Sequence, residues 1–158
     1  MIGRMRDVPV RRPATADDHA VLLRIWRRAV EATHDFLGAD VVDLLQDQVR
    51  DDALPALDVT VAEIDGEPVG WIGMDGSHVE ALFVDPAVHG RGVGTALLEG
   101  AAASHMNVTL DVNEQNPSAR AFYLARGFIP TGRSPVDADG REFPLIHMRR
   151  DRRQAQRR

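Results

Sequence analysis

The chain has 158 residues, a formal net charge of −5, 44% hydrophobic residues and no cysteine, which suits one domain with its own core and excludes disulfides, thiolate metal sites and a cysteine nucleophile. All 19 basic residues are arginine, so a Walker-type phosphate loop and Schiff-base chemistry, both of which need lysine, are excluded too. No apolar run is long enough to cross a bilayer and the N-terminal stretch lacks an apolar signal region, so a cytoplasmic location is expected.

In chain order, DVPVRR (7–12) alternates as a first strand. Thr15 and Asp18 have the spacing of a capping box, and a helix is predicted from Asp17 to about His34, where Leu22, Ile25, Trp26 and Ala29 recur at helical spacing. Gly38 breaks it, and a second helix is predicted from Asp40 to about Ala53, ending before Pro55. On that helix Asp40, Asp43, Asp47 and Asp51 form an acidic stripe opposite Val42, Leu45 and Val49. The stripe is either a solvated face or, if it borders a groove, a feature favouring a cationic acceptor such as a polyamine or basic peptide.

Three strands follow: VTVAEI (59–64), PVGWIGM (68–74) and HVEALFV (78–84), the first two joined by the hairpin signal DGE. DPAVHGRGVGTALL (85–98) then sets Gly90, Gly92 and Gly94 at alternating positions before a helix predicted from Gly92 to about His105. NVTLDV (107–112) reads as a buried strand. Asn116 as N-cap and Pro117 at the first helical position open a helix that Gly127 stops. FIPTGR (128–133) and FPLIHM (143–148) make a last pair of strands around DADG. The tail Arg149–Arg158 holds six arginines and one aspartate, a net +5 that leaves −10 on the rest of the chain. It reads as a disordered terminus after a domain spanning 1–148, and the acidic body argues against nucleic acid as the main partner. The fold expected is a single mixed α/β domain, one sheet with helices on its faces.

A glycine-rich turn between a strand and a helix weakens both elements unless something needs a bare backbone. The N–H groups of a helix's first turn have no intrahelical partner and carry the positive end of the dipole, so the loop reads as a phosphate or pyrophosphate cradle, with Arg91 adding charge. The alternative is a tight turn with close helix–strand packing. The spacing G-x-G-x-G, late in the chain, does not fit a dinucleotide fingerprint.

LFVDPAVHGRGVGTALL followed by NEQNPSARAFYLARGF resembles the GNAT superfamily of acetyl-CoA-dependent N-acetyltransferases. Val84-Asp85-Pro86 stands before His89-Gly90-Arg91-Gly92-Val93-Gly94, and Asn116, Ala119, Tyr123, Gly127 and Phe128 match the superfamily's later signature. The order of elements agrees along nearly the whole chain, and ATHDFL, VNEQN and TGRSPVD are similar to one branch from enteric bacteria. His89 departs from the Arg or Gln usual at its position. The resemblance implies a mixed, mostly antiparallel twisted sheet of about seven strands flanked by about four helices. It also implies acetyl-CoA as co-substrate and no metal. The pyrophosphate would meet the backbone of His89, Gly90, Arg91, Gly92, Val93, Gly94 and Thr95. The pantetheine arm would run along Leu82, Phe83 and Val84, with Asn113 and Asn116 touching it.

The resemblance further makes Tyr123, the only tyrosine, the proton donor to the departing CoA thiolate; without it Tyr123 reads as a core aromatic. Glu80 is the first choice of general base, on one strand face with His78, Leu82 and Val84; His78 is the reserve. The base matters because an alkylammonium with a pKa of about 10.4 is mostly charged near pH 7, which costs about 4.6 kcal/mol. Without cysteine, direct attack of the amine on the thioester is favoured over an acyl-enzyme. His34 and Asp35 are placed over the acceptor site, where His34 also suits a helix's last turn, and Trp71 walls the same pocket or packs the core. The acceptor is an amine, either a protein lysine or a small molecule; a homodimer is compatible with the sequence. The rival reading is a non-catalytic acyl-CoA-binding sensor module, and a third is a purely structural domain.

Overall fold

A computed structural model describes residues 8–152, and among the described residues there are seven strands and four helices longer than a single turn. Strand β1 is Val10–Pro13, followed by helices α1 (His19–Thr33) and α2 (Ala39–Gln48). Then come β2 (Asp58–Ile64), β3 (Glu67–Asp75), β4 (His78–Val84), α3 (Val93–Ala102), β5 (Asn107–Asn113), α4 (Pro117–Ala125), β6 (Ile129–Ser134) and β7 (Leu145–Asp151). The strands hydrogen-bond in the order β1-β2-β3-β4-β5-β7-β6. β4 and β5 pair in parallel, whereas β1–β2, β2–β3, β5–β7 and β6–β7 pair antiparallel, so the sheet is mixed and mostly antiparallel as expected.

By contacts the chain divides into two compact units, one of residues 1–76 and 80–101, the other of 77–79 and 102–158. In the first, α1 buries Leu22, Ile25, Trp26, Ala29 and Val30, the i, i+3, i+4 stripe legible in the sequence. Leu22, Ile25, Trp26 and Val30 pack with Val42 of α2, Val59 and Val61 of β2 and Trp71 of β3. The Thr15–Asp18 spacing works as a box from one side: the Asp18 carboxylate accepts from the Thr15 backbone N–H at 2.7 Å and from Arg12 at 2.8 Å. A 3₁₀ turn over Ala16–Asp18 forms there, and the α-helix starts at His19, two residues later than predicted.

Helix α2 stops at Gln48, short of Ala53. Residues Val49–Ala53 widen into a π turn and Leu54–Ala56 form one further helical turn that includes Pro55. A proline ring meets the carbonyl four residues back in a regular helix, here that of Asp51, and the widened turn sits over that carbonyl. In the second unit, β5 and β7 alternate strictly: Val108, Leu110, Val112, Ile146 and Met148 are buried, and the residues between them are open or half-buried.

The expected boundary at 148 is corrected. Strand β7 continues through Arg149, Arg150 and Asp151. Arg150 is buried, donates to the Arg126 carbonyl at 3.0 Å and stacks over the Phe128 ring. Residues 153–158 of the arginine tail and residues 1–7, where DVPVRR begins, lie outside the described residues. Among the described residues no helix is long and apolar enough to cross a membrane.

Candidate active site

Strand β4 buries Val79 and Ala81 and leaves His78 half-buried and Glu80 exposed on the opposite face. Period-2 alternation therefore puts both candidate bases on the open side, with Leu82 and Val84 partly covered further along. The Asp85 N–H donates to the Val69 carbonyl at 2.8 Å, so β4 stays tied to β3 up to the loop.

The loop is held from below. Asp85 caps a 3₁₀ turn, Pro86–Val88, by accepting from the Ala87 N–H at 3.0 Å, and it also pairs with Arg28 of α1. Gly90 and Gly92 then adopt φ of +83° and +81°, the left-handed region that favours glycine. A Cβ built on either meets no atom within 4 Å. Nothing inside the protein needs the missing side chains for packing; the bare backbone faces outward. This disfavours the tight-packing alternative for these two glycines. Gly94 differs, because it lies within the first turn of α3 rather than in the loop. That helix is anchored by the buried Val93, Leu97 and Leu98, while His89 and Arg91 are exposed. Val93, Gly94 and Thr95 fall in the first helical turn, whose N–H groups have no carbonyl four residues back within the helix.

In the second unit, the Asn116 side chain accepts from the Ala119 N–H at 3.2 Å and from the Ser118 hydroxyl at 3.0 Å, the N-cap the sequence signalled. Helix α4 carries Tyr123, whose ring stands edge-on to Phe122 and Phe128 at centroid distances of 5.2 and 5.7 Å. Burial pushes the Tyr123 phenol up to about 12, so it stays protonated near neutral pH and is a donor. The Tyr123 carbonyl accepts from the Phe128 N–H at 3.1 Å, closing the turn at Gly127, which has φ +91°. Asn113, at the end of β5, keeps its side-chain oxygen buried without a hydrogen-bond partner. An acceptor of that kind fits an amide N–H of a pantetheine arm, since an unpaired buried oxygen is costly.

The open face of β4, β5, β7 and β6 also carries a polar chain the sequence did not reveal. The Ser134 Oγ lies 2.7 Å from His147 Nε2, and His147 Nδ1 bonds Asp111 Oδ1. Asp111 Oδ2 faces His78 Nε2 at 3.6 Å, and His78 Nδ1 lies 2.7 Å from Thr109 Oγ1. These contacts follow from register: Asp111 pairs with His147, and Thr109 with His78.

The expected acceptor residues fare differently. His34 caps the C-terminus of α1, half-buried, with its ring against Phe36 at 5.4 Å. Burial pushes the His34 imidazole below its ordinary value. Asp35 is exposed. Trp71 is corrected to a core residue: it is 0% exposed and its indole N–H donates to the Leu22 carbonyl at 3.1 Å, leaving no face for a substrate. The acidic stripe is compensated as well, because Asp43 pairs with Arg27 at 2.7 Å and Arg50 pairs with Asp47 and Asp51 at 3.3 and 2.8 Å. Asp51 belongs to the π turn, off the α2 face. Among the described residues no group of three or more histidine and carboxylate side chains could hold a metal.

Residues 31–151 match the acetyltransferase (GNAT) domain family. The chain is 47% identical over 128 residues to the peptidyl-lysine N-acetyltransferase YjaB of Escherichia coli, covering 80% of this chain and 86% of that protein. The Salmonella typhimurium protein of the same name is 45% identical over 128 residues, covering 80% and 88%. The solution structure of apo YjaB from Escherichia coli superposes with a TM-score of 0.83 at 42% identity, covering 90% of this chain and 97% of that one.

Proposed function

From the premise that the chain belongs to the GNAT acetyltransferase family and is an acetyl-CoA-dependent N-acetyltransferase, we propose that its acceptor is the ε-amine of a protein lysine. The observation that carries this reading is the 45–47% identity, over most of the chain, to relatives named peptidyl-lysine N-acetyltransferase. Bound acetyl-CoA supplies the thioester acyl group. The backbone N–H groups from Gly90 to Gly94 receive its pyrophosphate, with Arg91 adding positive charge. Leu82, Phe83 and Val84 line the pantetheine arm, and backbone N–H groups of β4 polarise the thioester carbonyl. Asn113 offers its buried oxygen to an amide of the arm.

A lysine ammonium must lose a proton before it can attack, at a cost of about 4.6 kcal/mol near pH 7. Glu80 and His78, on the open face of β4, are the two bases within that strand's reach. With no cysteine in the chain, the amine attacks the thioester directly. Tyr123, held protonated by burial, gives its proton to the departing sulfur, whose conjugate acid has a pKa of about 8.5. The likeness to relatives named as N-acetyltransferases favours this over a non-catalytic acyl-CoA sensor, the rival the sequence left open. His34 and Asp35 border the acceptor site.

The test is incubation of the purified protein with acetyl-CoA and, separately, a lysine-containing peptide, a polyamine and free amino acids, followed by mass spectrometry. Because the chain has no lysine, acetylation of its own side-chain amines cannot contribute signal. Peptide acetylation at the lysine side chain supports the reading; acetylation of the polyamine or amino acids alone refutes the protein-lysine acceptor.

A further inference from the structure

Tyr123 stands in the last turn of α4, and the way that helix ends decides where its ring goes. Gly127, at φ +91°, closes the helix with the two hydrogen bonds of a Schellman cap. The Phe128 N–H donates to the Tyr123 carbonyl at 3.1 Å, and the Gly127 N–H donates to the Leu124 carbonyl at 3.1 Å. The apolar contact that accompanies such a cap is here the Phe128 ring against the Tyr123 ring, centroids 5.7 Å apart. Cap and phenol are therefore one packed unit, and whatever holds Gly127 and Phe128 holds the phenol.

Arg150 of β7 holds them. Strand alternation sets it in line with Ile146 and Met148 on the buried face of β7. An arginine at a core position costs free energy unless its head is paired. Its stem passes Gly127, where a built Cβ would meet Arg150 Cδ at 3.5 Å and Cγ at 3.9 Å. Its head donates to the Arg126 carbonyl at 3.0 Å and lies over the Phe128 ring, 5.3 Å from the centroid. The Arg126 side chain does the same one turn back, donating to the Phe122 carbonyl at 2.8 Å and stacking on the Phe122 ring at 3.6 Å. Both cations also suit the negative end of the α4 dipole. Packing alone needs no guanidinium at 150, since an apolar side chain of similar volume fills a core at no cost in buried charge. What the guanidinium adds is a grip on the cap.

We propose that Arg150 is a positioning residue for acetyl transfer, clamping the α4 cap so that the Tyr123 hydroxyl is held where the CoA sulfur departs. This rests on the acetyl-transfer reading above, in which Tyr123 gives that proton, and deepens it. A donor displaced by about 1 Å can cost about 10²-fold in rate, so a grip on the helix end is felt at the hydroxyl.

The experiment measures kcat with a lysine peptide and the acetyl-CoA Kd by calorimetry for Arg150→Met and Arg150→Lys, each in the wild-type chain and in Tyr123→Phe. Methionine keeps an unbranched stem and removes the grip, so kcat is expected to fall by about 10²-fold in the wild-type chain with Kd unchanged. Lysine keeps the stem and the charge and should recover part of that loss. In Tyr123→Phe neither substitution should lower kcat further, because a residue acting through the hydroxyl has nothing left to position. Arg149→Met, at the exposed neighbour paired with Asp151, should leave kcat and Kd as they are. Isotope labelling of tyrosine gives one ring signal in the NMR spectrum, since the chain has one tyrosine. Arg150→Met is expected to shift that signal and Arg149→Met to leave it in place. The proposal is overturned if Arg150→Met keeps kcat, if it lowers kcat by the same factor with and without the Tyr123 hydroxyl, or if the ring signal stays where it was. Should Arg150→Met fail to fold, the same comparisons on Arg150→Lys decide. A chain that acetylates no amine, or a Tyr123→Phe variant with full kcat, overturns the acetyl-transfer reading of Tyr123 instead, and the ring signal still reports whether Arg150 holds the phenol.

Discussion

Replacing Gly92 with alanine separates the two reasons a chain can have for glycine. At φ +81° an alanine pays the left-handed penalty of about 1–2 kcal/mol, and with no atom within 4 Å of the new Cβ it pays nothing for clashes. For a chain of this size each kcal/mol moves the melting temperature by about 2–4 °C, so a fall of about 2–8 °C is expected. Gly66, in the β2–β3 hairpin, has φ +79° and equally open space, so Gly66→Ala should cost the same. The two variants part at the ligand. If the Gly92 backbone meets the pyrophosphate, the methyl group blocks an approach that makes a hydrogen bond to a charged group, worth about 1.5–3 kcal/mol. Calorimetric titration with acetyl-CoA should then show roughly 10- to 150-fold weaker binding for Gly92→Ala and wild-type binding for Gly66→Ala. Equal melting losses with unchanged affinity in both would refute the cradle and leave Gly92 as a turn residue.

Trp71→Phe removes the indole N–H from the Leu22 carbonyl and leaves a gap in the core, so the melting temperature should fall by several degrees while the acceptor KM stays near wild type; a raised KM with unchanged melting would return Trp71 to the substrate pocket. The half-buried His34 has a folded pKa below its unfolded value of about 6.5, so it contributes stability that is present above that pH and lost as pH falls toward the folded value. Denaturant unfolding from pH 7.5 to 5 should therefore show a stability decline that His34→Gln flattens; an identical slope in the variant would contradict the burial account.

Local signals carried much of the fold. Asn116 followed by Pro117 named both the cap and the first helical residue, and the Leu22 to Ala29 spacing named the buried face of α1. Charge hid the end of β7, because arginines at 149 and 150 look like a solvated run. Only the structure shows Arg150 reaching over Phe128 to the Arg126 carbonyl, its stem buried and its head satisfied. Pro55 looked like a helix stop, yet a proline fits the first turn of a new helical segment once the backbone before it has widened. The glycine loop was legible as a motif, but only the dihedral angles separate Gly90 and Gly92 from the helical Gly94. Asp111, His147 and Ser134 could not be joined from sequence, since their contact depends on β7 lying between β5 and β6 and on the register that follows.

Acetyl transfer is completed by the half-buried, protonated phenol of Tyr123 on α4, and Tyr123→Phe tests this most directly. The ring and its packing against Phe122 and Phe128 remain, and only the hydroxyl is lost. Measuring kcat with a lysine peptide alongside the acetyl-CoA Kd by calorimetry should give a fall in kcat of about 10²- to 10⁴-fold with little change in Kd. A variant that keeps its kcat would contradict the claim.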